Sequence, residues 1–277
     1  MLPKLPLDKW VETVVDFLES YLSSVFELIA WTIGGIVNGL SYLFQLLPAY
    51  VMILLLALIV FRLSRWPLTL FTVIGLALIE NLGYWENTMD TLALVVTAAL
   101  ISIIIGIPLG IWSAQYDKVR NWLTPMLDFM QTMPAFVYLI PAVTFFGLGV
   151  VPGVIASVIF AVPPTIRLTN LGIRQVPHDL VEATDSFGAT RAQKLFKVQL
   201  PLAVPSIMAG VNQTIMLALS MVVIASMIGA QGIGADVYRA VTQIKTGQGF
   251  EAGLAIVILA IILDRITQHM VKKKGEN

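Results

Sequence analysis

What this chain can fold into is set by apolar runs too long for the core of a soluble domain. They fall at about residues 49–63, 67–83, 90–114, 125–148, 151–169, 202–230 and 251–270. Several reach or exceed the ~18–20 residues that cross a bilayer as a helix. Inside hydrocarbon every backbone N–H and C=O needs a partner, which leaves only helices and closed barrels. Barrel strands read as short alternating segments, and those are absent. The composition agrees: 57% of the 277 residues are hydrophobic and 12% are charged, against about 25% charged in soluble domains. The chain is expected to be an all-α polytopic membrane protein with about seven transmembrane helices.

Lysine and arginine orient those helices, because positively charged loops stay in the cytoplasm. Seven crossings that begin outside place Arg62, Arg65, Lys118, Arg120, Arg167, Arg174, Arg191, Lys194, Lys197, Arg265, Lys272, Lys273 and Lys274 on one side. Only Lys4, Lys9, Arg239 and Lys245 fall on the other. The first side is therefore expected to be cytoplasmic, with the C-terminus. Net charge is formally zero, so no nucleic-acid partner is implied. With no cysteine, disulfides, thiolate metal sites and cysteine nucleophiles are excluded.

Ahead of the spans, residues 8–29 carry Asp8, Glu12, Asp16, Glu19, Ser23 and Glu27 every three or four positions, with Trp10, Val14, Phe17, Leu18, Leu22 and Phe26 mostly opposite. This spacing predicts an amphipathic helix. It can pack on the bundle or lie in the membrane interface. The acidic start lacks a signal-peptide pattern and is expected to stay on the mature chain. Residues 30–47 continue as an apolar stretch that either crosses the membrane or does not.

Within the spans, GIPLG at 106–110 and GVVPG at 149–153 have the small-residue spacing of close helix packing. Pro108, Pro134, Pro141, Pro152, Pro163 and Pro164 each remove a backbone donor and tend to kink or break a helix. No Asp, Glu, Lys, Arg or His occurs from Phe129 through Thr165, nor from Leu202 through Ala235. Such groups mark proton relays and ion pathways, so a proton-coupled carrier is disfavoured, and sodium coupling, which can use backbone carbonyls, less so. The polar residues left there are neutral. Gln131, Tyr138, Thr144, Asn212 and Gln213 are candidates for a solute path that suits an uncharged or zwitterionic solute, and each can equally be an interhelical hydrogen bond. Phe136, Tyr138 and Phe145 offer ring faces to a quaternary ammonium group. The chain has no phosphate-binding G-x-x-x-x-G-K-[ST] loop and no nucleophile–base pair. It is not expected to be an enzyme, and any energy input must come from another subunit.

One stretch breaks the oily pattern: VEATDSFGATRAQKLFKVQLP, residues 181–201. Pro177 interrupts the backbone, and Asp179 is placed to cap a short helix over 180–187. Gly188 suits a left-handed helix end. Thr190 and Gln193 have capping-box spacing and begin a second helix, expected through Gln199. Pro201 then opens the next span. The product is a bent pair of polar helices on the cytoplasmic side.

This stretch resembles the cytoplasmic motif of ABC importer permeases, E-A-A, three residues, G, nine residues, I-x-L-P. Glu182, Ala183, Thr184, Gly188, Val198, Leu200 and Pro201 occupy those positions, departing at Thr184 and Val198. QTMPAFVYLIPAVTFFGLGVVP, IFAVPPTIRLTNLGIRQVP and GAQGIGADV are similar to the glycine betaine/proline betaine branch. The resemblance covers about residues 85–270 and implies a type I ABC importer permease fold. It implies that Glu182, Ala183, Thr184, Gly188, Leu200 and Pro201 shape a coupling helix docked on an ATPase. It also implies a second permease subunit, as in a homodimer, two ATP-binding subunits that hold the ATP and Mg, and an extracytoplasmic substrate-binding protein. The setting would be a bacterial cytoplasmic membrane, and the cargo a compatible solute. The expected layout is an N-terminal helical region at 1–47, peripheral spans at 48–84, a permease core at 85–272 with its coupling loop at 170–200, and a tail at 273–277. Two other readings share the composition: an osmotic-stress-gated channel, and a membrane scaffold working through its N-terminal helix.

Overall fold

The apolar runs do close their hydrogen bonds as helices, and the computed structural model describes them over residues 6–64 and 66–275, with the side chains of Leu7 and of 270–275 excepted. Lys4, Arg65, residues 276–277 and the side chains of Lys272, Lys273 and Lys274 thus lie outside what is described. The helices are α1 (Leu7–Gln45), α2 (Ala49–Leu63), α3 (Trp66–Asn81), α4 (Trp85–Gln115), α5 (Asp117–Thr132), α6 (Leu139–Phe146), α7 (Val150–Arg174), α8 (His178–Ser186), α9 (Arg191–Lys194), α10 (Leu200–Ser226), α11 (Ile233–Thr242) and α12 (Thr246–Gly275). Among the described residues four helices are long and apolar enough to cross a membrane, and a fifth crossing results if the bent pair α5–α6 counts as one. α2 and α3 are shorter apolar helices.

The core is α7 held between α4 and α10, and small residues bring these helices together. A Cβ on Gly106 would lie 2.7 Å from Thr165 Cγ2, and one on Gly110 would lie 2.5 Å from Thr169 Cβ. On the other flank a Cβ on Gly210 would lie 3.1 Å from the Pro164 carbonyl oxygen. Lipid supplies no hydrophobic drive between helices, so such close backbone approach carries the packing.

The prolines act unequally. Pro163 and Pro164 leave α7 a single helix, although each removes one of its hydrogen bonds. A neighbouring helix, α10, is tied to α7 beside that turn: the Thr165 hydroxyl meets Thr214 Oγ1 at 2.7 Å, and Thr214 Oγ1 donates to the Ala161 carbonyl at 2.8 Å. All three sites are buried. Pro134 does break the chain. The span expected over 125–148 is α5, a 3₁₀ turn at Ala135–Tyr138 and α6, with a 106° bend between the helical parts. Pro134 lacks the N–H to continue α5, and the Tyr138 hydroxyl donates back to the freed Met130 carbonyl.

α1 is one helix of 39 residues, so the amphipathic segment and the apolar stretch after it form a single element. Gly34, Gly35 and Gly39 do not interrupt it. Its contacts follow one end of the bundle: Gln45 donates to Asp90 of α4 at 2.8 Å, Gly34 faces Val151 of α7, and Phe26 stacks on Phe145 of α6 at 4.6 Å. At that same end Asn87 of α4 bonds Asp236 of α11, and the Ile233 N–H donates to Thr91 Oγ1 at 2.9 Å. The other end gathers the close of α4, the start of α5, the close of α7 and the loop 175–199. Two ion pairs lash α5 to α7 there, Asp117–Arg174 and Asp128–Arg167, both at 2.6 Å.

Candidate functional site

The polar stretch of residues 178–199 is a bent element standing off the bundle. α8 starts at His178 behind Pro177, so Asp179 sits in its first turn and is not its cap. The helix ends on a left-handed residue, Gly188, with φ 75°. The Gly188 N–H donates to the Asp185 carbonyl at 2.9 Å, and the Ala189 N–H donates to the Thr184 carbonyl at 3.2 Å. These are the two bonds of a Schellman closure, which a Cβ at the left-handed position would strain. On the far side of the bend the capping box is present: the Gln193 N–H donates to Thr190 Oγ1 at 3.2 Å and the Thr190 N–H to Gln193 Oε1 at 2.9 Å.

The second arm differs from the expectation. It does not end before Pro201. α9 passes through a π-turn at Leu195–Gln199 straight into α10, so that Arg191–Ser226 runs as one apolar helical stretch. The wider turn absorbs Pro201, whose nitrogen has no proton to donate.

The surface of this elbow is open. Glu182, Ala183, Phe187, Gly188, Arg191, Phe196 and Pro201 are exposed, and Thr184 and Leu200 are half-buried. Phe187, at the tip, is 92% exposed. The apex of this polar loop thus carries a large ring with an apolar body turned to the outside. Glu182 pairs with His178 at 3.2 Å along the same face. Across the bend, Lys194 Nζ donates to both carboxylate oxygens of Asp185, each at 2.8 Å. Sequence spacing gave no signal for that pair, because residues nine apart meet only once the chain has turned.

The neutral polar candidates separate into two groups. Gln131, Thr144 and Gln213 are exposed on α5, α6 and α10. Thr144 turns its hydroxyl to the Ile140 carbonyl at 3.0 Å. Tyr138 is buried and spends its hydroxyl on Met130. Asn212 is a clamp between α10 and α12: its Nδ2 donates to Asp264 Oδ1 at 2.8 Å, and its Oδ1 accepts from Thr267. Of the three aromatic candidates, Phe136 is exposed while Phe145 is stacked on Phe26. His269 is engaged as well, bridging Ser64 at 3.0 Å and the Arg265 carbonyl at 2.8 Å.

At the opposite end, α11 closes on Ile244, whose φ of 57° is rare for a β-branched residue and whose side chain is 87% exposed. At that end too, burial raises the Tyr84 phenol above its usual range, with Glu251 and then Asp236 adding to the shift. Among the described residues no group of three or more His, Cys, Asp or Glu is placed to hold a metal ion.

Comparison with known proteins agrees with this geometry. The glycine betaine transport system permease protein of Bacillus subtilis (strain 168) is 56% identical over 99% of this chain and 98% of its own. The glycine betaine/carnitine transport permease protein of Listeria monocytogenes serotype 1/2a (strain 10403S) is 57% identical over 98% of both. The glycine betaine/proline betaine transport system permease protein of Escherichia coli (strain K12) is 52% identical over 95% of this chain and 75% of its own. The inward-facing methionine ABC transporter superposes with a TM-score of 0.64 at 19% identity, over 69% of this chain and 95% of that one, which shows the fold of a type I ABC importer permease. Residues 106–275 match the family of binding-protein-dependent transport system inner membrane components. With the elbow, the apolar bundle and full-length relatives in agreement, the chain belongs to that family, the multi-pass permease subunits of ABC importers.

Proposed function

We propose that this permease carries a compatible solute bearing a quaternary ammonium group, such as glycine betaine, proline betaine or carnitine. Two copies of the chain form the pathway, two ATP-binding subunits dock on their elbows, and an extracytoplasmic binding protein delivers the solute. The elbow end and the C-terminus face the cytoplasm, following the thirteen basic residues gathered there in the sequence. Residues 1–47 and 48–84 flank a permease core at 85–272, with 273–277 as its tail.

The observation that carries this reading is the elbow. Its backbone is closed on both sides of Gly188, and its apex offers Phe187 to a partner. Glu182, Ala183, Thr184, Gly188, Leu200 and Pro201 shape and seat it. The relatives named for glycine betaine transport support the choice of solute. In the mechanism, ATP-driven closure of the partner subunits draws the two elbows together and favours the outward-open bundle, and hydrolysis returns it inward. The chain supplies no ATP site of its own. Because α7 is packed closely between α4 and α10, the solute passes over the exposed faces of α5 and α10, where Gln131 and Gln213 lie, between the two copies. Thr144 and Phe136 stand near the break in the α5–α6 path. Tyr138 and Asn212 support that wall from within.

The test is uptake by the complete complex in proteoliposomes, with labelled glycine betaine, carnitine, choline and proline, with and without internal ATP. ATP-dependent accumulation of a quaternary ammonium solute is expected. Downhill flux that ignores ATP would support the channel reading instead.

A further inference from the structure

We propose that the Asp185–Lys194 ion pair is a brace that transmits movement of the docked arm of the elbow to α10, making both residues positioning residues for energy coupling. This rests on the reading of the elbow as the ATPase dock.

α8 is joined to the rest of the chain by little. None of its residues is buried, and its packing is on α9 and the π-turn. At its start stands Pro177, which cannot extend a hydrogen-bonded connection backwards. At its end stands Gly188, with nothing within 4 Å of where its Cβ would be. A force applied to α8 therefore reaches α10 by two routes: through the backbone of residues 187–190, or through the side chains that span the bend. The charged side-chain link across the bend is Asp185 to Lys194. Its geometry is bidentate at 2.8 Å to each oxygen, and Lys194 is only 22% exposed. Asp185 is held twice, since its carbonyl also accepts from Gly188 in the helix closure.

What lies beyond Lys194 makes the route matter. Leu195, the next residue, packs against the buried cluster of Ile173, Ala203 and Ile207. Lys194 is thus the last residue of the elbow before the chain is anchored in the bundle, and it lies ahead of the softer π-turn. A brace from Asp185 to this point bypasses the glycine. Without it the two arms can flex about Gly188, and part of the movement of α8 is lost in bending. Docking itself does not require the pair, because the exposed contact residues Glu182 and Phe187 are not members of it.

The experiment measures solute taken up per ATP hydrolysed in proteoliposomes of the complete complex, for wild type, Asp185→Asn, Lys194→Gln and the charge-swapped double variant Asp185→Lys/Lys194→Asp. Copurification of the ATP-binding subunit is measured in parallel. Each single variant is expected to retain the subunit and to lower solute per ATP about threefold, the equilibrium shift that an ion pair of this exposure supplies. The swapped pair is expected to recover the ratio to within about twofold. An unchanged ratio in both single variants would overturn the brace. So would loss of the ATP-binding subunit from them, which would put the pair in the docking face. Failure of the wild-type chain to hold the subunit is a different result and removes the docking reading itself.

Discussion

Alanine in place of Gly188 is the same chemical change as alanine in place of Gly110, and the structure expects opposite consequences. At Gly188 the added Cβ meets no atom within 4 Å. The whole penalty is conformational: a φ of 75° disfavours an L-residue by roughly 1–2 kcal/mol. Since α8 is not part of the core, that energy does not unfold the protein. It opens the bend, reducing the ratio of bent to open elbow by about 5- to 30-fold. At Gly110 the backbone is ordinary helix, but the Cβ would stand 2.5 Å from Thr169 Cβ and 2.8 Å from the Ile166 carbonyl oxygen. Backbone cannot move aside cheaply, and overpacking of this kind costs about 1–3 kcal/mol. The assay pairs thermal unfolding of the detergent-purified chain with retention of the ATP-binding subunit. Gly188→Ala should keep the melting profile and lose subunit affinity, whereas Gly110→Ala should lower the melting temperature. Gly188→Asn is the control, because asparagine tolerates the left-handed region, and it should keep most of the affinity. If asparagine proved as harmful as alanine, or if Gly188→Ala melted as early as Gly110→Ala, the conformational argument would be refuted.

Other substitutions test single contacts. Thr214→Val keeps the shape but takes the buried Thr165 hydroxyl's partner and the second bond to the Ala161 carbonyl, so the chain should lose about 1–3 kcal/mol of stability, read as earlier unfolding. Asn212→Leu and Gln213→Leu are neighbours on α10 with different expected failures. The first removes the bonds to Asp264 and Thr267 and should lower stability. The second removes an exposed amide and should slow uptake with the melting profile intact, and a reversed pattern would move the path to the α10–α12 seam. Tyr84 gives a pH test. Its pKa is raised in the folded state above 10.0, so the unfolded chain releases the proton first as pH rises, and stability falls with increasing pH in that window. Tyr84→Phe should flatten the loss of stability above about pH 10, and identical alkaline profiles for the two proteins would contradict the shift.

The helices were legible because their signals are local. Length and apolarity mark α4, α7 and α10, and Gly188, Thr190 and Gln193 foretell a bend closed on both sides. What escaped was decided by neighbours. Pro134 and the Pro163–Pro164 pair look alike in sequence, yet only the first breaks a span, while α7 runs on through its prolines, packed between α4 and α10. The second arm of the elbow was expected to end before Pro201, and a π-turn carried it through. Asn212 reads as a free polar group until Asp264, more than fifty residues later in the sequence, is brought against it. Ile244 carries no local mark of its left-handed backbone, since that position usually selects glycine.

The unbroken course from Arg191 to Ser226 sets how far a nudge at the elbow can reach. Thirty-six helical residues measure about 54 Å at ~1.5 Å each, from the dock to the end where Ser226 donates to the Gly234 carbonyl at 3.1 Å. Over that length a tilt of about one degree displaces the distant tip by about 1 Å. A tilt at one end of this helix therefore reaches the other with no relay of rearranging side chains between them.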